Sequence, residues 1–305
     1  MHRWVEKRVY IIMILPALVV YTGFMVYPLF TSLLYGLYEW EGLQRGAFAG
    51  LANFRTILWE RPFNVRFFNA IQHNIYFFAL TFAIQSTAGL GLAVLFSQGG
   101  RLMTLYRTVS FIPYTLSLVV VGFLWSLMLN PTWGIVNKAL AAAGLGAWAR
   151  PWLGDPRTAL TAIILINAWR WIGFPVLVFL AAIQSIPSEL HEAARVDGAR
   201  GWQLFRHITL PLVMPAVLTV TILTFIYDFM AFELIFVMQG SSGGPAYSTD
   251  VLGTLFYRTA FGESVAGGDI GNIGLGSAIA FLMFLIVGTV SLMAYRWMTR
   301  RETEY

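Results

Sequence analysis

Residues 186–199 read IPSELHEAARVDGA, a polar stretch set between two long apolar segments. The residues predict a short helix. Pro187 ends the preceding segment, Ser188 can cap the new helix, and Glu189 lies near its positive N-terminal end. Gly198 can end the helix in a left-handed turn. The stretch therefore predicts a short helix with a defined start and a defined end.

One face of this predicted helix is small and nearly flat. Leu190, Ala193, Ala194 and Asp197 follow the i, i+3, i+4, i+7 spacing that places side chains on one face. Such a face suits close docking against another protein. The alternative is a helix that lies on the lipid surface, although such helices are usually rich in Lys and Arg. From the residues alone, both interpretations stay open.

The segments around this stretch are apolar along most of the chain. Of the 305 residues, 58% are hydrophobic and 11% are charged, whereas a soluble domain has about 25% charged residues. Helices are favoured over strands because the runs are long and unalternating, and because a helix satisfies its own backbone in lipid. We therefore predict an all-α integral membrane protein with one transmembrane domain over residues 1–305. Its six spans are about residues 10–35, 70–96, 108–129, 158–183, 212–237 and 273–297.

The positions of Lys and Arg predict the orientation of the spans. If the N-terminus is cytoplasmic, the inside segments and span ends hold 11 basic residues and the outside segments hold 8. This bias favours two cytoplasmic termini and a cytoplasmic loop at residues 184–211. The net charge of +5 is scattered at the ends of apolar runs, which indicates anchoring at lipid headgroups rather than nucleic-acid binding. The absence of cysteine excludes disulfides, thiol catalysis and Cys-ligated metal.

A wider pattern surrounds the loop. It consists of Glu192-Ala193-Ala194, Asp197-Gly198-Ala199, Trp202, Phe205, Ile208, Leu210-Pro211 and Pro215. This pattern resembles the EAA motif of binding-protein-dependent ABC importer permeases. Residues 169–187, 232–245 and 249–261 resemble the carbohydrate branch of that family, the MalF/UgpA-like permeases. The chain departs from the family in three places: Glu233 stands where Asp is frequent, the loop before Gly243 is longer, and no large outer domain is inserted.

The resemblance implies a type I ABC importer permease in the prokaryotic plasma (inner) membrane. It implies that residues 189–199 form the coupling helix that seats in a cleft of a separate ATPase. The implied coupling residues are Glu189, Glu192, Ala193, Ala194, Asp197 and Gly198. The implied partners are a second homologous permease subunit, an ATPase dimer, an extracellular or periplasmic solute-binding protein and a sugar. ATP and Mg would be bound by the ATPase, and no cofactor by this chain.

The motifs of ATP binding and of hydrolysis are absent from the sequence. It contains no Gly-x-x-x-x-Gly-Lys-Ser/Thr, no His-Glu-x-x-His and no Gly-x-Ser-x-Gly, and its four histidines are widely separated. We therefore predict a transport subunit that is not itself an enzyme.

Three charged residues fall inside predicted spans, where a charge is costly and indicates a cavity or a pathway. Arg170 and Asp228 could meet near the midplane, either as an ion pair that fixes the helices or as groups that hydrogen-bond sugar hydroxyls. Glu233 lies further out, where anchoring a gate or loop is as good an explanation as contact with substrate. The substrate-pathway candidates are Asn167, Arg170, Tyr227, Asp228, Phe232 and Glu233. Lone polar residues in spans, such as Asn74, Gln85 and Asn167, usually bond between helices.

The predicted function is uptake of an oligosaccharide such as maltose, trehalose or an α-glucoside, by alternating access driven by a separate ATPase. One alternative within the family is a glycerol-phosphate importer. Two alternatives lie outside it: an ion-coupled secondary transporter that uses Asp228 and Glu233, and a membrane scaffold or sensor that transports nothing.

Overall fold

A computed structural model describes residues 13–42, 44–262 and 271–302, and most of these residues are helical. The elements are α1 Met13–Tyr35, β1 Tyr38–Glu41, β2 Gln44–Phe48, α2 Ala52–Trp59, α3 Phe63–Ser97, α4 Arg101–Thr115, α5 Leu118–Met128, α6 Ile135–Ala142, α7 Ala159–Trp171, α8 Gly173–Gln184, α9 Ser188–Val196, α10 Trp202–Phe229, α11 Glu233–Gln239, α12 Leu252–Phe261 and α13 Ile273–Glu302. The predicted start of span one and the basic N-terminal segment lie outside the described residues.

Six spans emerge when broken helices are counted as single crossings. Among the described residues, α1, α3, α10 and α13 are each long and apolar enough to cross a membrane alone. The pairs α4–α5 and α7–α8 pass the same test together, with bends of 94° and 44° between their helices. The predicted six-span helical membrane fold is therefore confirmed.

Spans three, four and five are each interrupted by a break in the helix. Pro113 lies inside α4, and the chain then runs extended through Leu116 and Ser117 before α5 begins. In span four, Pro175 has no N–H to donate to the preceding turn, and the helix bends between α7 and α8. Span five ends as α10 at Phe229, and a short second helix starts afresh as α11.

The start of span five also differs from the prediction. The predicted span begins near residue 212, after a polar loop at residues 184–211. Residues 202–211 of that loop instead form the first turns of α10, which contain a π-helical turn at Phe205–Thr209. The polar loop is therefore shorter than predicted, because this helix starts ten residues earlier.

The chain divides into two compact units. The first comprises Met1–Phe67 and Phe256–Leu285. It contains an element that an all-α prediction omits, the antiparallel hairpin of β1 and β2. Asn53, at the start of α2, donates its side-chain amide to the carbonyls of Gly36 and Tyr38, both at 2.9 Å. These bonds tie α2 to the chain leaving α1.

The second unit comprises Phe68–Leu255 and Ile286–Tyr305. One of its apolar clusters joins α3, α5, α7 and α11, with Phe77, Ile163 and Ile235 almost completely buried. Another joins α3, α8 and α10, with Phe179 and Val213 at its centre. Both clusters place the broken helices side by side around α3, and the polar residues considered below lie between these helices.

Candidate functional site

The polar loop contains the predicted short helix, here α9. Its N-cap is Pro187 and not Ser188, which is the first helical residue, and the cap position makes no side-chain hydrogen bond. The predicted capping role of Ser188 is therefore wrong. A proline cannot cap through its side chain, but its extended backbone starts the helix cleanly. Glu189 lies in the first turn, as predicted from the helix dipole.

The end of α9 has the predicted glycine turn. Gly198 adopts φ +88°. The backbone N–H of Ala199 donates to the carbonyl of Ala194 at 2.9 Å, and that of Gly198 donates to Arg195 at 3.0 Å. This bonding pattern is a Schellman motif, which satisfies the last carbonyls of the helix and turns the chain sharply.

Most of the predicted flat face of α9 is exposed on the surface of the protein. Leu190, Ala193 and Asp197 are exposed, and Val196 beside them is 88% exposed. Ala194 is half-buried, so it belongs to the inner edge of that face. On the inner side, His191 Nε2 lies 3.4 Å from Thr209 Oγ1 of α10. The helix is thus held from one side, and its small apolar residues are displayed on the other.

A groove of about 1200 Å³ runs beside α9, between this helix and the end of α3. Its lining includes charges of both signs, among them Glu192, Arg195 and Arg200. Glu192 is exposed. The loop therefore presents a flat small-residue face next to a charged groove, and a protein partner could engage both features.

The second group of candidates lies where the broken spans meet. Arg170, one residue before the end of α7, reaches across to the break between α4 and α5. Its Nε and Nη2 donate to the Leu116 carbonyl at 3.1 and 2.9 Å, and Nη2 also donates to the Tyr114 carbonyl at 3.3 Å. Within the described part of the chain, no ion pair joins Arg170 to Asp228. The buried pair considered from the sequence is not formed here.

Aromatic rings surround this junction. The Trp171 ring lies 4.7 Å from that of Tyr227, 5.1 Å from that of Tyr114 and 5.8 Å from that of Phe174. Tyr227 is 54% exposed despite its position in a membrane-spanning helix. The sequence offered no signal for Tyr114, because its partner Trp171 is distant along the chain.

Asp228 is buried, with 3% of its surface exposed. Thr81 of α3 lies against its carboxylate, and the carboxylate Oδ2 has no hydrogen-bond partner among the described residues. Its backbone carbonyl accepts from the Asn74 side-chain amide at 2.8 Å. Asn74 also accepts from the Leu252 N–H at 2.9 Å, so it bridges α3, α10 and α12. Asp228 is thus held in place from its backbone, with an acceptor oxygen to spare.

A further buried contact joins α3 to α10 one turn away. Thr224 Oγ1 donates to Gln85 Oε1 at 2.8 Å. For Asn74 and Gln85, the expectation that a lone polar residue in a span bonds between helices is therefore confirmed. The role of Thr224 was missed, since a single threonine in an apolar run carries no distinguishing pattern.

The remaining candidates lie around the same breaks. Glu233 is the first residue of α11 and is exposed. Phe232 precedes it, with its ring 5.0 Å from that of Phe236. Asn167 is half-buried one turn before Arg170 on α7. The structure therefore gathers the substrate-pathway candidates near three helix breaks, but it does not bring Arg170 and Asp228 into contact.

Known proteins resemble this chain over nearly its whole length. The chain is 31% identical to "Probable ABC transporter permease protein YurN" of Bacillus subtilis, covering 98% of this chain and 99% of that protein. It is 31% identical to "Lactose transport system permease protein LacF" of Rhizobium radiobacter, covering 92% and 90%. A solved bacterial ABC transporter involved in the import of the acidic polysaccharide alginate contains a chain with a TM-score of 0.80 and 25% identity, covering 98% and 99%.

Family membership follows from a match to a whole protein family. Residues 85–304, which include the loop, α9 and all three helix breaks, match the family described as "Binding-protein-dependent transport system inner membrane component". That match covers well over half of the chain, and the identities above extend it to both ends. The chain therefore belongs to the family of binding-protein-dependent transport system inner membrane components.

Proposed function

We propose that this chain is a membrane-spanning subunit of an ATP-binding-cassette importer that takes up an oligosaccharide by alternating access. The observation that carries the proposal is the exposed helix α9 with its glycine turn, in a chain of this family. Leu190, Ala193 and Val196 lie next to one another along one exposed side of α9 and form an apolar face that a partner can cover. That partner is the ATPase, which binds ATP and Mg, and this chain contributes no catalytic group.

In this proposal, α9 is the coupling helix. The ATPase docks on the face of Ala193, Ala194 and Asp197, and Glu192 pairs with a basic residue of the ATPase at the edge of the charged groove. Glu189 strengthens the negative potential of the same end, and Gly198 fixes the length of the helix. The loop is then cytoplasmic, which places both termini in the cytoplasm, as the distribution of Lys and Arg also favours.

The sugar pathway is proposed to run past the three helix breaks. Non-helical backbone is tolerated at membrane depth where it is buried in protein or lines a cavity. The Tyr227 and Trp171 rings offer faces for a sugar ring, and Asp228 offers an acceptor for a hydroxyl. The relatives named for lactose and alginate support a carbohydrate as the substrate, and Asn167, Phe232 and Glu233 complete the proposed lining.

The complete transporter is proposed to contain a second permease subunit, two ATPase copies and an external solute-binding protein. The complete transporter, reconstituted in lipid vesicles with binding protein outside and ATP inside, should take up sugar. The Glu192→Lys variant should abolish uptake, because it places like charges at the docking edge. Glu39→Lys reverses an exposed charge on the β1–β2 hairpin and serves as the matched control, with uptake unchanged.

Two results would contradict this proposal. Normal uptake by the Glu192→Lys transporter would show that Glu192 has no role in coupling to the ATPase. Uptake that collapses with a protonophore while internal ATP is held constant would instead favour the ion-coupled transporter that uses Asp228 and Glu233.

A further inference from the structure

The Arg170 side chain donates its hydrogen bonds to the backbone of a neighbouring span. Helix α4 ends at Thr115, and two extended residues follow before α5 turns away by 94°. Such a break leaves carbonyls without helical partners, and in a membrane those carbonyls need donors from elsewhere in the protein. Arg170 supplies these donors to Leu116 and Tyr114.

The guanidinium group is suited to this contact. Its Nε and Nη2 together make three hydrogen bonds to two carbonyls that lie on either side of the end of α4. A planar group with several N–H donors can reach both carbonyls at once. Lysine carries its donors on a single nitrogen and cannot reproduce that fork. The Arg170 contact is therefore a cap for a bent helix, supplied from a neighbouring span.

A second contact lies three residues further along span four. A Cβ on Gly173 would lie 2.6 Å from the Ser110 carbonyl oxygen and 2.8 Å from the Phe111 Cα. The backbone at the start of α8 therefore touches the backbone of α4 directly. Span four thus contacts span three at two points: the Arg170 side chain hydrogen-bonds to it, and the Gly173 backbone packs directly against α4.

Helix α8 leads directly to the polar loop that contains α9. Helix α8 begins at Gly173 and ends at Gln184, and only three residues separate it from α9. Helix α8 therefore connects α9 to the contact with α4 through one short stretch of chain.

We propose that Arg170 is a positioning residue that locks bent span three to span four, so that both move as one body when α9 is displaced. In this role Arg170 acts on the pathway through the α4–α5 break and does not bind the sugar. The coupling part of this inference rests on the proposed function, whereas the mechanical joint between α4 and α8 does not.

The contact between α4 and span four can be tested by measuring a distance between the two helices. The chain contains no cysteine, so the exposed residues Thr108 of α4 and Ser185 at the end of α8 can be replaced by Cys and spin-labelled. In the assembled complex, the label-to-label distance should be narrowly distributed and the same with and without nucleotide. In the Arg170→Ala background, the distribution should broaden or shift when nucleotide binds.

Transport provides the second measurement. We expect Arg170→Ala to lower sugar uptake per ATP hydrolysed about tenfold, the size of effect that loss of a charge-assisted hydrogen bond produces. The KM for sugar should stay within about twofold, since the side chain does not contact sugar. Arg170→Lys should recover only part of the coupling. Arg157→Ala, two residues before the start of α7, is the matched control and should change none of these quantities.

Each outcome decides the inference. An unchanged distance distribution in Arg170→Ala would overturn it, as would a raised KM with normal coupling, which would make Arg170 a sugar ligand. If Arg170→Ala fails to assemble, Arg170→Lys carries the test, and a wild-type distance distribution in that variant would overturn the inference. If the wild-type complex moves no sugar but the distances behave as expected, the joint stands and the proposed substrate is wrong.

Discussion

The glycine turn at the end of α9 allows a clean test of the coupling loop. Gly198 adopts φ +88°, and a Cβ added there would meet nothing within 4 Å. The Gly198→Ala variant therefore causes no clash, and its only cost is the left-handed backbone. For an L-residue with a Cβ, that conformation costs about 1–2 kcal/mol.

This cost should appear when the ATPase docks. The free loop can relax by opening the turn and losing the bonds from Ala199 to Ala194 and from Gly198 to Arg195. Docking then requires the turn to re-form, so the affinity of the ATPase should fall by about 5- to 30-fold. Gly198→Asn should lose less, since Asn tolerates the left-handed region better than other residues. Titration of purified ATPase onto the permease pair in lipid nanodiscs measures the dissociation constant.

Gly144 provides a matched control on the same chain. It ends α6 with φ +76° in open space, and its turn has the same bonding pattern, from Leu145 to Leu140 at 2.8 Å and from Gly144 to Ala141 at 3.1 Å. Gly144→Ala therefore carries the same local cost outside the loop and should leave ATPase affinity unchanged. Equal losses for both variants, or no loss for Gly198→Ala, would refute the reasoning.

Three further changes follow from the site and its supports. Asn74→Ala removes the 2.9 Å bond from the buried Leu252 amide and one of the bonds to the Asp228 carbonyl. Leaving the amide unsatisfied should cost about 1–3 kcal/mol of stability. The melting temperature in detergent should therefore fall, and an unchanged value would contradict this. Tyr227→Ala should raise the KM for sugar about 3- to 10-fold, because the contact between the tyrosine ring and the sugar is lost. Tyr227→Phe keeps the ring and should leave the KM unchanged. If the Tyr227→Ala and wild-type transporters have equal KM values in uptake assays, stacking of the sugar on this ring is excluded. Gly122→Ala places a Cβ 2.9 Å from a side-chain carbon of Val237 and should cost about 1–3 kcal/mol of stability. Gly91→Ala is the control, because a Cβ there meets nothing within 4 Å. The Gly122→Ala variant should have the lower melting temperature of the two.

Local chemistry made the loop the most predictable part of the molecule. Pro187 and Gly198 act on the backbone within one or two residues, so their effects can be read without knowing what surrounds them. The cap was misassigned for a related reason. Ser188 suits a cap position, but the extended backbone of Pro187 starts the helix one residue earlier.

The helix breaks were harder to predict. Pro113 and Pro175 signal a possible bend in their spans, but proline alone does not determine whether a span continues, bends gently or turns by 94°. That depends on whether a neighbour can satisfy the carbonyls that a sharp break exposes. In span three the neighbour is Arg170, 54 residues away from Leu116 along the chain.

The sequence by itself determined the membrane class, the six crossings, the polar loop and the family resemblance, because hydrophobic length, turn residues and a dense local motif are all local quantities. Only the tertiary structure decided what the intramembrane charges contact. Arg170 caps a bent neighbour, and Asp228 is buried against Thr81 without pairing with Arg170. The physical reason is that a buried donor or charge takes whichever partner the packed helices bring within reach, and those partners are set by helix geometry rather than by spacing along the chain.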